Sequence, residues 1–223
     1  GKWARVLEVV VSSVRPFELM MGKIFGVASV AVVQVLIWAV LVCGAGAAVM
    51  PHVLPDGAME AAAALQQGGG AATAAAGDFD PETLGAIALA TDVGYLAMLF
   101  GYLLLFVVGG YLLYSAMFAA VGSAVDNAQD AAQLQTPIMI PIILAVIVEM
   151  SVLNDPNSPL AFWFSLIPFT SPVVMMARIP YGIPTWEIVL SLVLLYAAFV
   201  GMVWLSAKIY RVGIFMYGKK PTF

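Results

Sequence analysis

Charge is the scarcest ingredient of this chain. Of its 223 residues, 10% are charged and 63% are hydrophobic, whereas a soluble domain is nearer one quarter charged. With a mean hydropathy of +1.01, the composition falls in the membrane class before any motif is considered. The one cysteine, Cys43, excludes a disulfide framework within the chain and any multi-thiolate metal site. The one histidine, His52, leaves no material for a His-based metal site or dyad. Ser115, Ser123, Ser165 and Ser171 consequently lack a general base. No glycine-rich loop ends in a Lys-Ser/Thr pair, so ATP is not bound here as in a P-loop. No catalytic residue, metal or cofactor is expected in the chain, and no nucleic acid partner. Energy, if used, comes from another chain or from an ion gradient.

What is abundant is long apolar sequence. The first run, "IFGVASVAVVQVLIWAVLVCGAGAAVM" (24–50), exceeds the roughly 20 residues that cross a bilayer core, with Gln34 its strongly polar side chain. It is expected to end at Pro51. Residues 51–91 include "AAAALQQGGGAATAAAGDFDPE" and read as an Ala/Gly-rich loop with a short helix at most, because small side chains bury too little area to repay ordering. A second run occupies 92–125, with Gly109-Gly110 in its middle suited to a kink or a close helix contact. Residues 126–136 are acidic and amide-rich and read as a loop. A third run follows at 137–153, where Pro137 suits a first helical turn and Pro141 loosens the next. The last spans 185–207 and leads into a basic tail, 208–223.

Residues 154–184 are apolar enough to resemble a fifth crossing, but Pro168, Pro172, Pro180 and Pro184 cut them into pieces. Charge placement decides between the two. Of nine Lys and Arg, four lie in the first 23 residues and four in the last sixteen, and the 51–91 loop has none. By the positive-inside rule both termini are cytoplasmic and the 51–91 loop is external. An even number of crossings follows. The 154–184 segment is therefore expected to dip in from outside as short broken helices and return, its freed backbone groups covered by neighbouring protein. The alternative is a true crossing with one run misplaced elsewhere. Trp163, Tyr181 and Trp186 fall near the outer interface, and Tyr210 and Tyr217 near the inner one. The expected fold is an all-α polytopic membrane bundle, with four transmembrane helices and an external re-entrant segment, in a bacterial inner membrane.

Ionisable groups near spans are costly and tend to face protein interiors or polar cavities. Asp92, Glu149 and Glu187 lie at the outer ends of their runs, and Arg178 is the cation available to Glu149 or Glu187. These four form a candidate outer polar cluster, as a structural node, a substrate contact or plain interfacial groups that meet water. At the other end, residues 1–20 carry one apolar helical face (Trp3, Val6, Leu7, Val10, Val14) before Pro16. Such a helix lies on lipid or docks a soluble partner.

Four ordered stretches are more specific: "EVVVSSVRPFELMMGKIFGV", "SAMFAAVGSAVDNAQDAAQLQTPIMIPI", "NSPLAFWFSLIPFTSPVVMMARIPYGIPTWE" and "AKIYRVGIFMYGKKP". Together they resemble the C-terminal part of an ABC-2 type permease of the sodium-efflux, NatB-like group, in the form common in Bacteroidetes-like bacteria. The resemblance implies six spans, of which these four are the third to sixth, so a preceding segment is expected before Gly1. It implies an ATP-driven exporter, with ATP and Mg bound by separate ABC ATPase subunits and a second permease copy or a related permease alongside. It also implies a cytoplasmic coupling helix at Arg5, Glu8, Ser12, Ser13, Arg15, Pro16 and Glu18. The family's acidic lead-in is absent before "KWARV". Asp126 and Asp130 then fall on the coupling face, where their segment is either a linker or a second ATPase contact. A membrane scaffold without transport, or an ion-driven secondary transporter, is the alternative function.

Overall fold

The computed structural model describes residues 16–66, 79–124 and 128–217, and no strand occurs among them. The helices are α1 (Pro16–Val53), α2 (Ala58–Gln66), α3 (Pro81–Thr91), α4 (Val93–Ala124), α5 (Ala128–Val152), α6 (Pro159–Leu166), α7 (Ser171–Arg178) and α8 (Thr185–Tyr217), with a 3-10 turn at Ile179–Tyr181. Four of them contain stretches long and apolar enough to span a membrane: Ile24–Val53, Val93–Gly122, Gln133–Val152 and Thr185–Lys208. Their side chains are largely exposed, as suits helices whose solvent is hydrocarbon and whose backbone bonds are all internal. Among the described residues the fold is thus all-α, with four membrane-spanning helices.

Several boundaries differ from the sequence expectation. The apolar run does not stop at Pro51; α1 continues to Val53 with Pro51 in its final turn. Residues 128–136, expected as a loop, form the opening turns of α5, so Pro137 and Pro141 both lie inside that helix. "AQDAAQLQ" contains good helix formers and no breaker, and the helix carries straight on into the apolar run. The tail likewise stays helical to Tyr217. Pro16 and Glu18 lie at the described start of α1, in line with the first span. Arg5, Glu8, Ser12, Ser13, Arg15 and Asp126 fall outside the described residues, as do the side chains of Pro16, Glu18 and Asp130.

The chain divides into two compact units, one at Val33–Leu104 and the other formed by the described parts of Gly1–Val32 and Leu105–Phe223. In the first, the described residues 51–66 and 79–91 are more ordered than composition suggested. Gly57, with a φ of 85° that side-chain-bearing residues avoid, turns the chain into α2. Asp80 caps α3 by accepting from the Thr83 N–H at 3.2 Å, with Pro81 in the first turn. Ala58 and Ala62 then pack against Ile87 and Ala88, flanked by Leu54 and Phe79. Small side chains bury little each, but they let the two helix backbones approach closely. The Gln66 side-chain amide also donates to the Ala88 carbonyl across the pair. One residue, Asp92, joins α3 to α4; its Oδ1 accepts from the N–H groups of Gly94 (2.8 Å) and Tyr95 (3.1 Å).

In the second unit α4 buries Phe106, Gly109, Gly110, Leu113 and Ala116, one stripe at helical spacing. α5 buries Ala145, Val148 and Val152, and α8 buries Glu187, Ile188, Ser191 and Leu195. The Tyr196 hydroxyl donates to the Leu105 carbonyl at 3.0 Å, Gly109 abuts Leu195, and the Ser206 hydroxyl lies 3.0 Å from the Ala116 carbonyl. Residue numbers rise together on both helices, so α4 and α8 run in the same direction. The chain must then cross an odd number of times between them. α5 supplies that crossing, which requires residues 153–184 to leave and return at the same end.

Candidate functional site

Each break in residues 153–184 has a local cause. Ser158 accepts from the Ala161 N–H at 3.2 Å and Pro159 opens α6. α6 ends because Ile167 precedes Pro168 and is held extended, at φ −66° and ψ 121°. Pro172 sits in the first turn of α7, Pro180 in the 3-10 turn, and Pro184 directly before α8. Gly182, at φ 76°, supplies the left-handed residue that closes the 3-10 turn. The prolines thus mark helix starts and stops, as expected, and the two eight-residue helices α6 and α7 pack on each other and on α5. Ala161 and Val174 complete an apolar core with Ala145, Val148 and Val152.

Arg178, at the last turn of α7, organises the polar side of the segment. It is 1% exposed. Its Nε donates to the Pro156 carbonyl at 2.8 Å, and one terminal nitrogen donates to Ser165 Oγ at 2.6 Å and to Glu187 Oε2 at 2.9 Å. The guanidinium also lies 5.9 Å from the centre of the Phe162 ring. The Ser165 hydroxyl donates to the Phe162 carbonyl at 2.8 Å, while the Ser165 carbonyl accepts from the Ser191 hydroxyl at 2.7 Å. One side chain therefore joins the turn that leaves α5, helix α6 and the first turn of α8. This is the ion pair among the described residues. A buried pair offsets its desolvation only when its remaining donors and acceptors are satisfied, and among the described residues no buried side-chain polar atom lacks a partner.

The turn between α6 and α7 is closed with equal economy. The Ile167 carbonyl accepts from the N–H groups of Thr170 (3.0 Å) and Ser171 (2.8 Å). The Thr170 hydroxyl caps the Phe164 carbonyl at 2.5 Å, and the Tyr114 hydroxyl of α4 donates to the Phe169 carbonyl at 2.6 Å. Pro168 and Pro172 have no N–H to satisfy. Side-chain hydroxyls do here what water does at a surface, satisfying backbone carbonyls of an irregular turn. One turn before Tyr114, Gly110 faces Pro172 so closely that an added Cβ would lie 2.9 Å from the ring. The Gly109-Gly110 pair serves a close contact.

Of the four residues expected to form an outer cluster, Arg178 and Glu187 come together and are buried rather than solvated. Asp92 is used locally at the start of α4, and Glu149 is half-buried on α5 and takes no part in the ion pair. Sequence reasoning missed Ser191, Phe162, Tyr114 and the Pro156 carbonyl. Ser191 was within reach, since it lies one helical turn beyond Glu187. Trp163, Tyr181 and Trp186 are exposed, with the Phe162 ring 5.3 Å and 6.4 Å from those of Trp163 and Trp186. No group of three or more His, Cys, Asp or Glu among the described residues could hold a metal ion.

Comparison with known proteins gives this architecture a context. Residues 3–208 match the family model described as ABC-2 family transporter protein. The chain is 26% identical over 223 residues to the uncharacterized protein YhaP of Bacillus subtilis (strain 168), covering all of this chain and 46% of that protein. It thus spans about half the length of the curated relative it matches. No solved structure matches. The likeness reaches the ABC-2 family and goes no finer, to a subgroup or a bacterial phylum. The chain belongs to the ABC-2 family of transporter proteins, and four of its described helices are long and apolar enough to cross a membrane.

Proposed function

We propose that the chain is the membrane-spanning part of an ATP-driven exporter, opening and closing a pathway as separate ATPase subunits bind and hydrolyse ATP with Mg. The observation that carries this reading is the family match over residues 3–208 on a chain with four spanning helices. The chain has no nucleotide loop of its own, so a P-loop subunit has to supply hydrolysis. A second permease copy or a related permease completes the pathway, with lipid around it. Both termini and the start of α5 face the cytoplasm, where positive charge gathers at both ends of the chain. Residues 153–184 then lie on the external side. Arg5, Glu8, Ser12, Ser13, Arg15, Pro16 and Glu18 receive the ATPase. The four quoted stretches are the basis on which a NatB-like subgroup is proposed, and the cargo does not follow from them.

The test is co-purification of the full-length permease with a P-loop ATPase encoded beside it, followed by reconstitution. ATPase stimulation by the permease and export of cargo into or out of vesicles are the expected results. Failure to co-purify, together with unchanged cellular export after deletion of Arg5 to Pro16, would sink the assignment and leave a non-transporting scaffold.

A further inference from the structure

The outer face of α8 is patterned as well as apolar. Ile188, Ser191 and Leu195 are buried, whereas Trp186, Val193, Ala197, Val200, Trp204 and Lys208 are exposed along one seam, separated by three, four or seven residues. The two tryptophans stand eighteen residues apart, five full turns, so they share a face about 27 Å from one another. The hydrocarbon core is about 30 Å thick, and tryptophan collects at both of its boundaries. The two ends of the seam differ in charge. At the first, Arg178 is buried and occupied by Glu187. At the second, the Lys208 ammonium lies 5.2 Å from the centre of the Trp204 ring and has no carboxylate partner among the described residues. The sequence after Glu187 adds Arg211, Lys219 and Lys220 and contains no acid.

We propose that this seam of α8 is a binding surface for an anionic phospholipid, its phosphate paired with Lys208 and an acyl chain lying along Val200 and Ala197. The indole ring gives the aliphatic stem of the lysine an apolar surface to lie on and holds the ammonium at the depth where lipid phosphates sit. A zwitterionic headgroup brings its own cation, so it gains less from an uncompensated lysine than a headgroup of net negative charge does. Ala197, the smallest side chain of the seam, leaves a notch between Val193 and Val200 that an acyl chain can fill. The surface requires that α8 spans a membrane and draws on nothing in the ATP-driven reading.

The test is tryptophan quenching of the full-length permease in phosphatidylcholine nanodiscs doped with lipid brominated on its acyl chains. Two forms are compared, one keeping Trp204 and one keeping Trp186, with Phe at every other tryptophan. Brominated phosphatidylglycerol is expected to half-quench Trp204 at a mole fraction about three- to tenfold lower than brominated phosphatidylcholine, the range for one cation at an anionic headgroup. Trp186, on the same face without an exposed cation, is expected to show no such preference. Lys208→Gln is expected to abolish the preference at Trp204, and Lys208→Arg to keep it. An equal preference at both tryptophans means general enrichment around the protein and overturns the site, as does a preference that survives Lys208→Gln. Weak quenching of Trp204 by both lipids places a protein helix over the seam and also overturns it. Loss of the preference in inorganic phosphate at constant ionic strength assigns Lys208 to free phosphate and overturns the lipid. If the tryptophan replacements do not fold, native mass spectrometry of the unsubstituted permease and of Lys208→Gln, each equilibrated with both lipids, decides alone. The variant is expected to retain one phosphatidylglycerol fewer, and equal retention overturns the proposal.

Discussion

At Gly109 and Gly110 an added methyl group meets different neighbours. On Gly109 the Cβ would come within 2.7 Å of Cδ2 of the buried Leu195 and 3.1 Å of Tyr196 Cε2, both on side chains with rotatable bonds, whereas on Gly110 it would come within 2.9 Å of a proline ring that has none. Gly110→Ala is therefore expected to destabilise the protein by about 1–3 kcal/mol, the range for overpacking, and Gly109→Ala by less. Gly201→Ala, with nothing within 4 Å, is expected to be neutral or to stabilise slightly. Thermal unfolding of the detergent-solubilised protein ranks the three. The Arg178–Glu187 pair invites a double-mutant cycle. Arg178→Met leaves a buried carboxylate unpaired and is expected to cost roughly 3–5 kcal/mol, while adding Glu187→Leu recovers much of that loss. Additive losses would show that the two side chains act independently. Arg178 and Glu187 were legible in the sequence because ionisable groups are rare near spans. Pro156 was not, because a backbone carbonyl leaves no mark on residue identity.

Among the elements, the spans were legible because lipid demands long apolar runs, and the breaks within residues 153–184 because four prolines mark helix starts and stops there. The α2–α3 pair was hidden: Ala suits a loop or a helix equally by composition, and the pairing of Ala58 and Ala62 with Ile87 and Ala88 is a tertiary event. The opening turns of α5 were hidden for a related reason, since polarity signals departure from lipid and not departure from the helix. That correction changes what Asp130 can do. It sits on a helix continuous with a span, so a force applied there is carried into α5 rather than absorbed by a loop. Under the proposed function, Asp126→Asn with Asp130→Asn is expected to lower permease-stimulated ATP hydrolysis several-fold while protein abundance stays within about twofold. Equal stimulation in normalised vesicles would return the segment to a connector.

For the whole molecule, direction is the testable property. α4 and α8 run the same way, so Asn157→Cys and Tyr181→Cys, both at exposed positions flanking α6 and α7, are expected on one side. With Cys43 replaced, both are expected to react with a membrane-impermeant maleimide applied to the external face of cells, and Lys208→Cys only after permeabilisation. Asn157 and Tyr181 reacting from opposite faces would mean that residues 153–184 cross. A last consequence lies in the joint at Asp92. A connection one residue long, with its carboxylate already gripping Gly94 and Tyr95, has no slack. Any tilt or twist of the first turn of α4 reaches α3 through a single residue, and α2 through the packing of Ala58 and Ala62 on Ile87 and Ala88.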